Sequence, residues 1–255
     1  MAAPYSERTD ASAPRVFLTA RWHYLALLNY AVDPSLLTHR VPPGTEIDRF
    51  GDRTYVSVVG FRFLQTRVLG VAVPLHQDFD EINLRFYVRR RAADGWRRGV
   101  AFVRELVPKR AIATVARLAF CEPYAAVAMS HEVVDRGEGA GRHVSAEYGW
   151  RDRRGGCTIA LRAHGDPVLP TAGSAEEFIV EHYWGYGIDR KGRGLEYGVR
   201  HDPWRLWSAD DAAFSGDAAA AYGTELAQIV TRTPDSAFLA EGSPISVSWA
   251  SLVQP

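Results

Sequence analysis

Apolar residues along this chain recur mostly in short stretches with a spacing of two, the period of strands whose two faces differ. Between residues 82 and 89, Ile82, Leu84, Phe86 and Val88 interleave with Asn83, Arg85, Tyr87 and Arg89. Arg85 therefore lines either a polar interior or a solvated sheet face. Further extended segments are expected at residues 22–31, 54–63, 97–106, 124–134, 143–150, 157–163 and 245–252. Links as short as Asp152-Arg153-Arg154-Gly155-Gly156 make antiparallel meanders the natural pairing.

Helices are expected where the spacing changes or a start signal stands. Asp33 before Pro34 opens one that Val41-Pro42-Pro43-Gly44 ends. Pro108 stops the strand before it, and residues 109–120 place Ile112, Val115, Ala116 and Ala119 on one side of an amphipathic helix. Ser174 to Glu177 has capping-box spacing, and the alanine-rich residues 212–230 are expected to be helical. Between them lies a dense aromatic segment in which Trp184 and Tyr186, beside Gly185 and Gly187, read either as core or as a cavity lid. No repeat or low-complexity linker divides the chain. The expectation is a loose segment over residues 1–15, then one predominantly antiparallel β domain of α+β class over residues 16–255, with helices on its outside.

Composition narrows the function classes. Of 255 residues, 47% are hydrophobic, and 30 basic side chains balance 30 acidic ones. That balance supplies no global field to draw nucleic acid or an anionic membrane. Cys121 and Cys157 are too few for a disulfide scaffold or a four-cysteine metal site, and no run approaches the roughly 20 apolar residues of a spanning helix. Residues 1–13 carry no apolar leader. A cytoplasmic protein handling a small molecule is expected, with no nucleic-acid or membrane partner and with homo-oligomerisation left open.

Only Lys109 and Lys191 are lysines in this arginine-rich chain. Lys191 sits in a turn-like, solvated stretch. Lys109 falls in the first turn of a helix beside Arg110, and both the helix dipole and the neighbouring cation lower a lysine pKa, which is how an amine becomes a nucleophile. A solvent-facing lysine at a helix start is the plain alternative. Glu105 either orients Lys109 or salt-bridges an arginine; Glu81 and Arg85 either pair with one another or contact a ligand. His76, Asp78 and Glu81 offer metal-ligand atoms without a known zinc spacing, so neither a metal nor another cofactor is expected. Phosphate-loop and nucleophile-elbow motifs do not occur.

Several of these stretches resemble a known family. The run from Arg21 through Trp22-His23-Tyr24 to Asp48, the Phe79-Asp80-Glu81 triplet, and Arg104-Glu105-Leu106 followed by Pro108-Lys109-Arg110 resemble, in that order, motifs of the acetoacetate decarboxylases. The whole-length pattern, including Tyr183-Trp184-Gly185-Tyr186 and His201-Asp202-Pro203-Trp204, resembles the YqjF-like bacterial family of unassigned function in the same superfamily. The resemblance implies a closed, cone-shaped β-barrel with flanking helices and an internal cavity. It implies Lys109 as a Schiff-base amine, Arg110 as the cation that activates it, Glu81 as an active-site carboxylate and Arg21 as the holder of a substrate carboxylate. Arg85, Tyr24, Trp184 and Tyr186 are the further ligand-contact candidates.

Departures from that pattern matter. Pro-Lys-Lys has become Pro-Lys-Arg, the link from Glu105 to Pro108 is shorter, and residues 56–60 lack the family's second glutamate. Decarboxylation of acetoacetate itself is not supported. The expectation is a carbonyl enzyme acting on a keto acid-like compound through decarboxylation, aldol or dehydration chemistry. The alternative is a non-catalytic protein that binds a small molecule in the same cavity.

Overall fold

The computed structural model of the chain describes residues 15–152 and 155–254. The expected loose segment before residue 15 lies outside them, as do Arg153 and Arg154 of the meander turn. The first half runs β1 (Val16–Val32), β2 (Glu46–Ile47), β3 (Thr54–Val68), β4 (Phe79–Ala92), β5 (Gly95–Val107), α1 (Arg110–Phe120), β6 (Tyr124–Ala126), β7 (Ala128–Arg136), β8 (His143–Asp152) and β9 (Gly155–His164). The second runs α2 (Ala175–Val180), β10 (Trp184–Ile188), β11 (Gly194–His201), β12 (Leu206–Ser208), β13 (Asp211–Gly216), α3 (Ala219–Tyr222), α4 (Thr224–Val230), β14 (Ser236–Ala240), β15 (Pro244–Ser248) and β16 (Ser251–Leu252).

Seven strands close on themselves. β1 pairs with β3, β3 with β4, β4 with β5, β5 with β10, β10 with β11, β11 with β15, and β15 returns to β1. Only the β5–β10 pair in that ring is parallel. Closure removes the open edges that a sheet of this size would otherwise expose. A second, four-stranded antiparallel sheet in the order β13-β9-β8-β7 packs on the outside of β3 and β4. There Gly60 lets the two layers approach, since a Cβ on it would fall 2.7 Å from Cδ1 of Ile159 and 2.9 Å from Cβ of Tyr148.

That arrangement explains the alternation in β4. Ile82, Leu84 and Phe86 face outward into the core shared with Tyr148, Ile159 and Leu161 of the second sheet. Glu81, Asn83 and Arg85 face into the barrel. The apolar face is therefore the outer one, and the polar face lines an interior.

Local corrections have physical reasons. α1 starts at Arg110, one residue later than expected, with Lys109 as its N-cap in extended conformation (φ −121°, ψ 128°). The segment 124–134 divides at Val127: β6 lies parallel to β5, whereas β7 crosses to the second sheet. The single helix expected over residues 212–230 is replaced by β13 and two short helices. All of residues 211–216 pair with residues 157–162 of β9, and a sheet edge with an unbroken register outweighs the helical preference of alanine, which is worth only about 1 kcal/mol per residue even against glycine. Gly216 and Gly223 then take positive φ, 101° and 81°, which breaks any continuous helix. The segment opened by Asp33 is two 3₁₀ turns, with Ser35 N–H donating to Asp33 at 2.8 Å. Among the described residues, no helix is long and apolar enough to cross a membrane.

Candidate functional site

All seven barrel strands contribute side chains to one internal cavity of about 240 Å³. α1 covers it through Ala111, Ile112, Val115, Ala116 and Phe120. Val73 and Val115 both line the cavity and stay largely exposed, so its mouth lies between α1 and the loop joining β3 to β4. Most of the wall is aromatic or aliphatic, as in sites that bury the body of a small ligand and orient it with a few polar groups.

Those polar groups are concentrated where β4, β5 and β6 meet. The register places Asn83 opposite Glu105 and Glu105 opposite Tyr124, so three neighbouring strands present one row to the interior. Glu81 accepts hydrogen bonds from Asn83 Nδ2 at 3.0 Å and from the Tyr124 hydroxyl at 3.1 Å. Glu122 follows Cys121, whose left-handed conformation (φ 57°) ends α1 and turns the chain back to the barrel. Its carboxyl accepts from the Tyr197 phenol. Glu105, only 1% exposed, leaves Oε2 without a partner among the described residues.

Three carboxyls buried side by side resist ionisation, because burial penalises the charged form and each negative charge penalises the others. Burial pushes Glu81 up to about 7 against the pull of its hydrogen bonds to Asn83 and Tyr124. Glu122 rises to about 8, chiefly through burial, with Tyr197 pulling the other way. Glu105 is raised well above the carboxylate range by burial, then by the charges of Glu122 and Glu81. The Tyr124 and Tyr197 phenols are raised by burial as well, so they act as hydrogen-bond donors.

Four of the expected site residues meet in this cavity: Glu81, Glu105, Arg85 and Trp184. The others lie elsewhere, and the chain's two lysines are not among the lining residues. Lys109 is half-buried at the start of α1, two residues before the wall residue Ala111, while Arg110 is exposed. Arg21 is exposed on β1 beside Trp22, which faces the cavity; strand alternation turns the two apart. The irregularity between His23 and Ala26, with Tyr24 at φ 47°, re-aims the strand. Tyr24 consequently points to the second sheet and donates to Asp135 at 2.5 Å. Tyr186 is buried in the core, donating to the Arg97 carbonyl at 3.2 Å. Of the metal candidates, Asp78 is engaged by the Gln65 N–H at 2.8 Å, and no group of three or more His, Cys, Asp or Glu among the described residues is arranged to hold a metal ion.

The model of the DUF2071 family, an uncharacterized conserved protein family, matches residues 19–244. The chain belongs to that family. This DUF2071 chain is 27% identical over 191 residues to the uncharacterized protein YqjF of Bacillus subtilis (strain 168), covering 74% of each. Its fold is shared with enzymes of known structure. Acetoacetate decarboxylase from Legionella pneumophila superposes with a TM-score of 0.59 at 13% identity, over 100% of this chain and 92% of that one. The enduracididine biosynthesis enzyme MppR, complexed with the condensation product of pyruvate and imidazole 4-carboxaldehyde, gives 0.66 at 12%, over 94% and 90%. An acetoacetate decarboxylase-like enzyme from Sphingomonas wittichii RW1 gives 0.58 at 14%, over 93% of each chain. At these identities the likeness establishes the barrel alone.

Glu122 and Tyr124, not singled out from the sequence, also line the cavity of this DUF2071 chain, as does His182. A signal for the first two was present: a carboxylate and a phenol flanking Pro123, directly after the helix that carries the Pro-Lys-Arg motif. His182 reaches the barrel interior through the closure of β10, which starts two residues after it, onto β5.

Proposed function

We propose that the barrel interior is the active site of a small-molecule enzyme working by acid–base chemistry next to a carbonyl group. The observation that carries this reading is the cluster of Glu81, Glu105 and Glu122 along one wall of the cavity, with Tyr124 and Tyr197 hydrogen-bonded into it. Carboxyls raised toward neutrality serve as both acid and base, because at pH 7 each protonation state is accessible. One ionised carboxyl removes the proton α to the carbonyl; the C–H pair becomes the C=C bond of an enol as the carbonyl π pair moves to oxygen. That oxygen takes a proton from a second, protonated carboxyl. Reversal with a deuteron from solvent exchanges the α position with no net redox change.

The test is exchange of α-protons in deuterated buffer, followed by NMR over a panel of ketones and keto acids. Exchange that falls about 100-fold in Glu105→Gln supports the reading, a loss of the size expected for a general acid or base. Saturable binding with no enzyme-dependent exchange across the panel would leave a binding protein in its place.

A second reading keeps a Schiff base on Lys109. Two observations favour it: Ala111 and Ile112 of the same helix line the cavity, and MppR, which shares the fold, has been crystallised with pyruvate. Borohydride trapping with pyruvate, read by intact mass, separates the two. An adduct abolished by Lys109→Ala establishes the amine route; an unchanged mass leaves the carboxyls to act alone.

A further inference from the structure

The carboxyl cluster does not use the two cavity-facing groups with the fewest partners, Arg85 and His182. Arg85 is 8% exposed, and among the described residues no carboxylate lies within ion-pair distance of it. Its guanidinium makes one weak contact, Nη2 donating to the Ile179 carbonyl at 3.3 Å, and its Nε has no acceptor. The adjacent face is the Tyr87 ring, with the guanidinium carbon 5.8 Å from the ring centre. His182 is 7% exposed, and neither ring nitrogen completes a hydrogen bond, although the Ile179 carbonyl is near. Its ring packs on Tyr87 at 4.8 Å. Both side chains line the cavity.

A buried, unpaired cation is costly, and so is a buried imidazole with both nitrogens idle. Glu81 lies near enough for the charge of Arg85 to act on it, but its oxygens are occupied by Asn83 and Tyr124, and burial keeps it protonated up to about neutral pH. It is therefore a poor counterion. His182 is held neutral by burial and by the charges of Arg98 and Arg85, leaving it one N–H to donate. A guanidinium with a free Nε edge matches the two oxygens of a carboxylate, and a neutral imidazole adds one donor. One full positive charge, in the company of three carboxyls, suits a monoanion and disfavours a dianion.

The rest of the wall defines the other end of the ligand. Trp22, Phe61, Phe63, Phe79, Phe102 and Trp204 enclose the space with aromatic surface. A cavity of 240 Å³ gives room for on the order of eight water-sized groups, at about 30 Å³ each.

We infer that Arg85 and His182 form an anion subsite inside the barrel, and that the cavity takes a small monocarboxylate with a bulky apolar, preferably aromatic, body. This rests on the barrel interior being the ligand site and not on the acid–base step assigned to the glutamates.

Calorimetric titration of the full chain with phenylacetate, phenylacetamide, 2-phenylethanol and acetate tests it. Phenylacetate is expected to bind at least tenfold more tightly than any of the other three. In Arg85→Gln its affinity falls at least tenfold, to the level of phenylacetamide, whose own affinity stays unchanged. If Arg85→Gln does not fold, His182→Gln and the wild-type ratio of acid to amide decide the matter. Equal affinity for acid, amide and alcohol, no binding of any probe, or a folded Arg85→Gln that keeps the preference overturns the inference. A wild-type preference for the acid, together with no enzyme-dependent α-proton exchange across the panel of ketones and keto acids, would instead overturn the acid–base reading and leave the subsite standing.

Discussion

Tyr197 lies across the backbone of Gly185 and donates its phenol proton to the buried carboxyl of Glu122. The two residues come from β11 and from the turn after α1, so this bond ties the covering helix to the barrel wall. This bond favours the ionised carboxylate of Glu122 against the burial that raises its pKa. Tyr197→Phe removes it without changing the ring. The carboxyl of Glu122 is then expected to titrate above its value of about 8, with a loss of about 1 kcal/mol in stability. Carboxyl ¹³C NMR titration checks this; a Glu122 signal that titrates lower in the variant contradicts it.

Gly185 is required at its position because Tyr197 occupies the place of a side chain. A Cβ there would stand 2.0 Å from Cζ of Tyr197, its cross-strand partner in the β10–β11 register. Gly185→Ala is expected to cost ~1–3 kcal/mol as the ring is pushed aside. Denaturant unfolding reads the loss, and a change within about 0.5 kcal/mol, the range of an ordinary surface substitution, contradicts it.

The glutamate cluster also sets the pH dependence of stability. A carboxyl whose folded pKa exceeds its unfolded one holds its proton more tightly in the folded state, so stability drains as pH rises. For Glu81 and Glu122 the window opens near the ordinary 4.5 and closes near 7 and 8 respectively. Melting temperature is expected to fall between pH 5 and pH 8.5, through a stability loss of several kcal/mol. Glu122→Gln flattens the upper part of that slope. A wild-type melting temperature that holds steady or rises across this range counts against the cluster being buried and protonated.

The strands were legible in the sequence because period-two alternation survives closure, whereas the closed barrel was implied only by the family resemblance. What alternation at 82–89 left open was which face is inside, since a barrel covered by a second sheet has no solvent face to set the polarity. Glu81 and Glu105 were within reach because they lie on long, regular strands. Glu122 had only the weaker signal of its place beside Pro123 after the helix, because its direction depends on a single left-handed residue, Cys121. Lys109 drew attention by its helix-start chemistry, but a position two residues before the wall of a cavity differs from one on it. At 212–230, alanine content hid the strand at 211–216, because pairing with β9 is a tertiary fact.

The most direct measurement is the rate of α-proton exchange in a bound carbonyl compound as a function of pH from 5 to 9, for the wild-type chain. A coupled carboxyl cluster acting as acid and base gives a bell whose limbs belong to the cluster as a whole. The expected result is a maximum between the values of about 7 and about 8 to which Glu81 and Glu122 are raised, and its collapse in Glu105→Gln. An exchange rate that does not exceed that of buffer at any pH, or one that Glu105→Gln leaves intact, would contradict it.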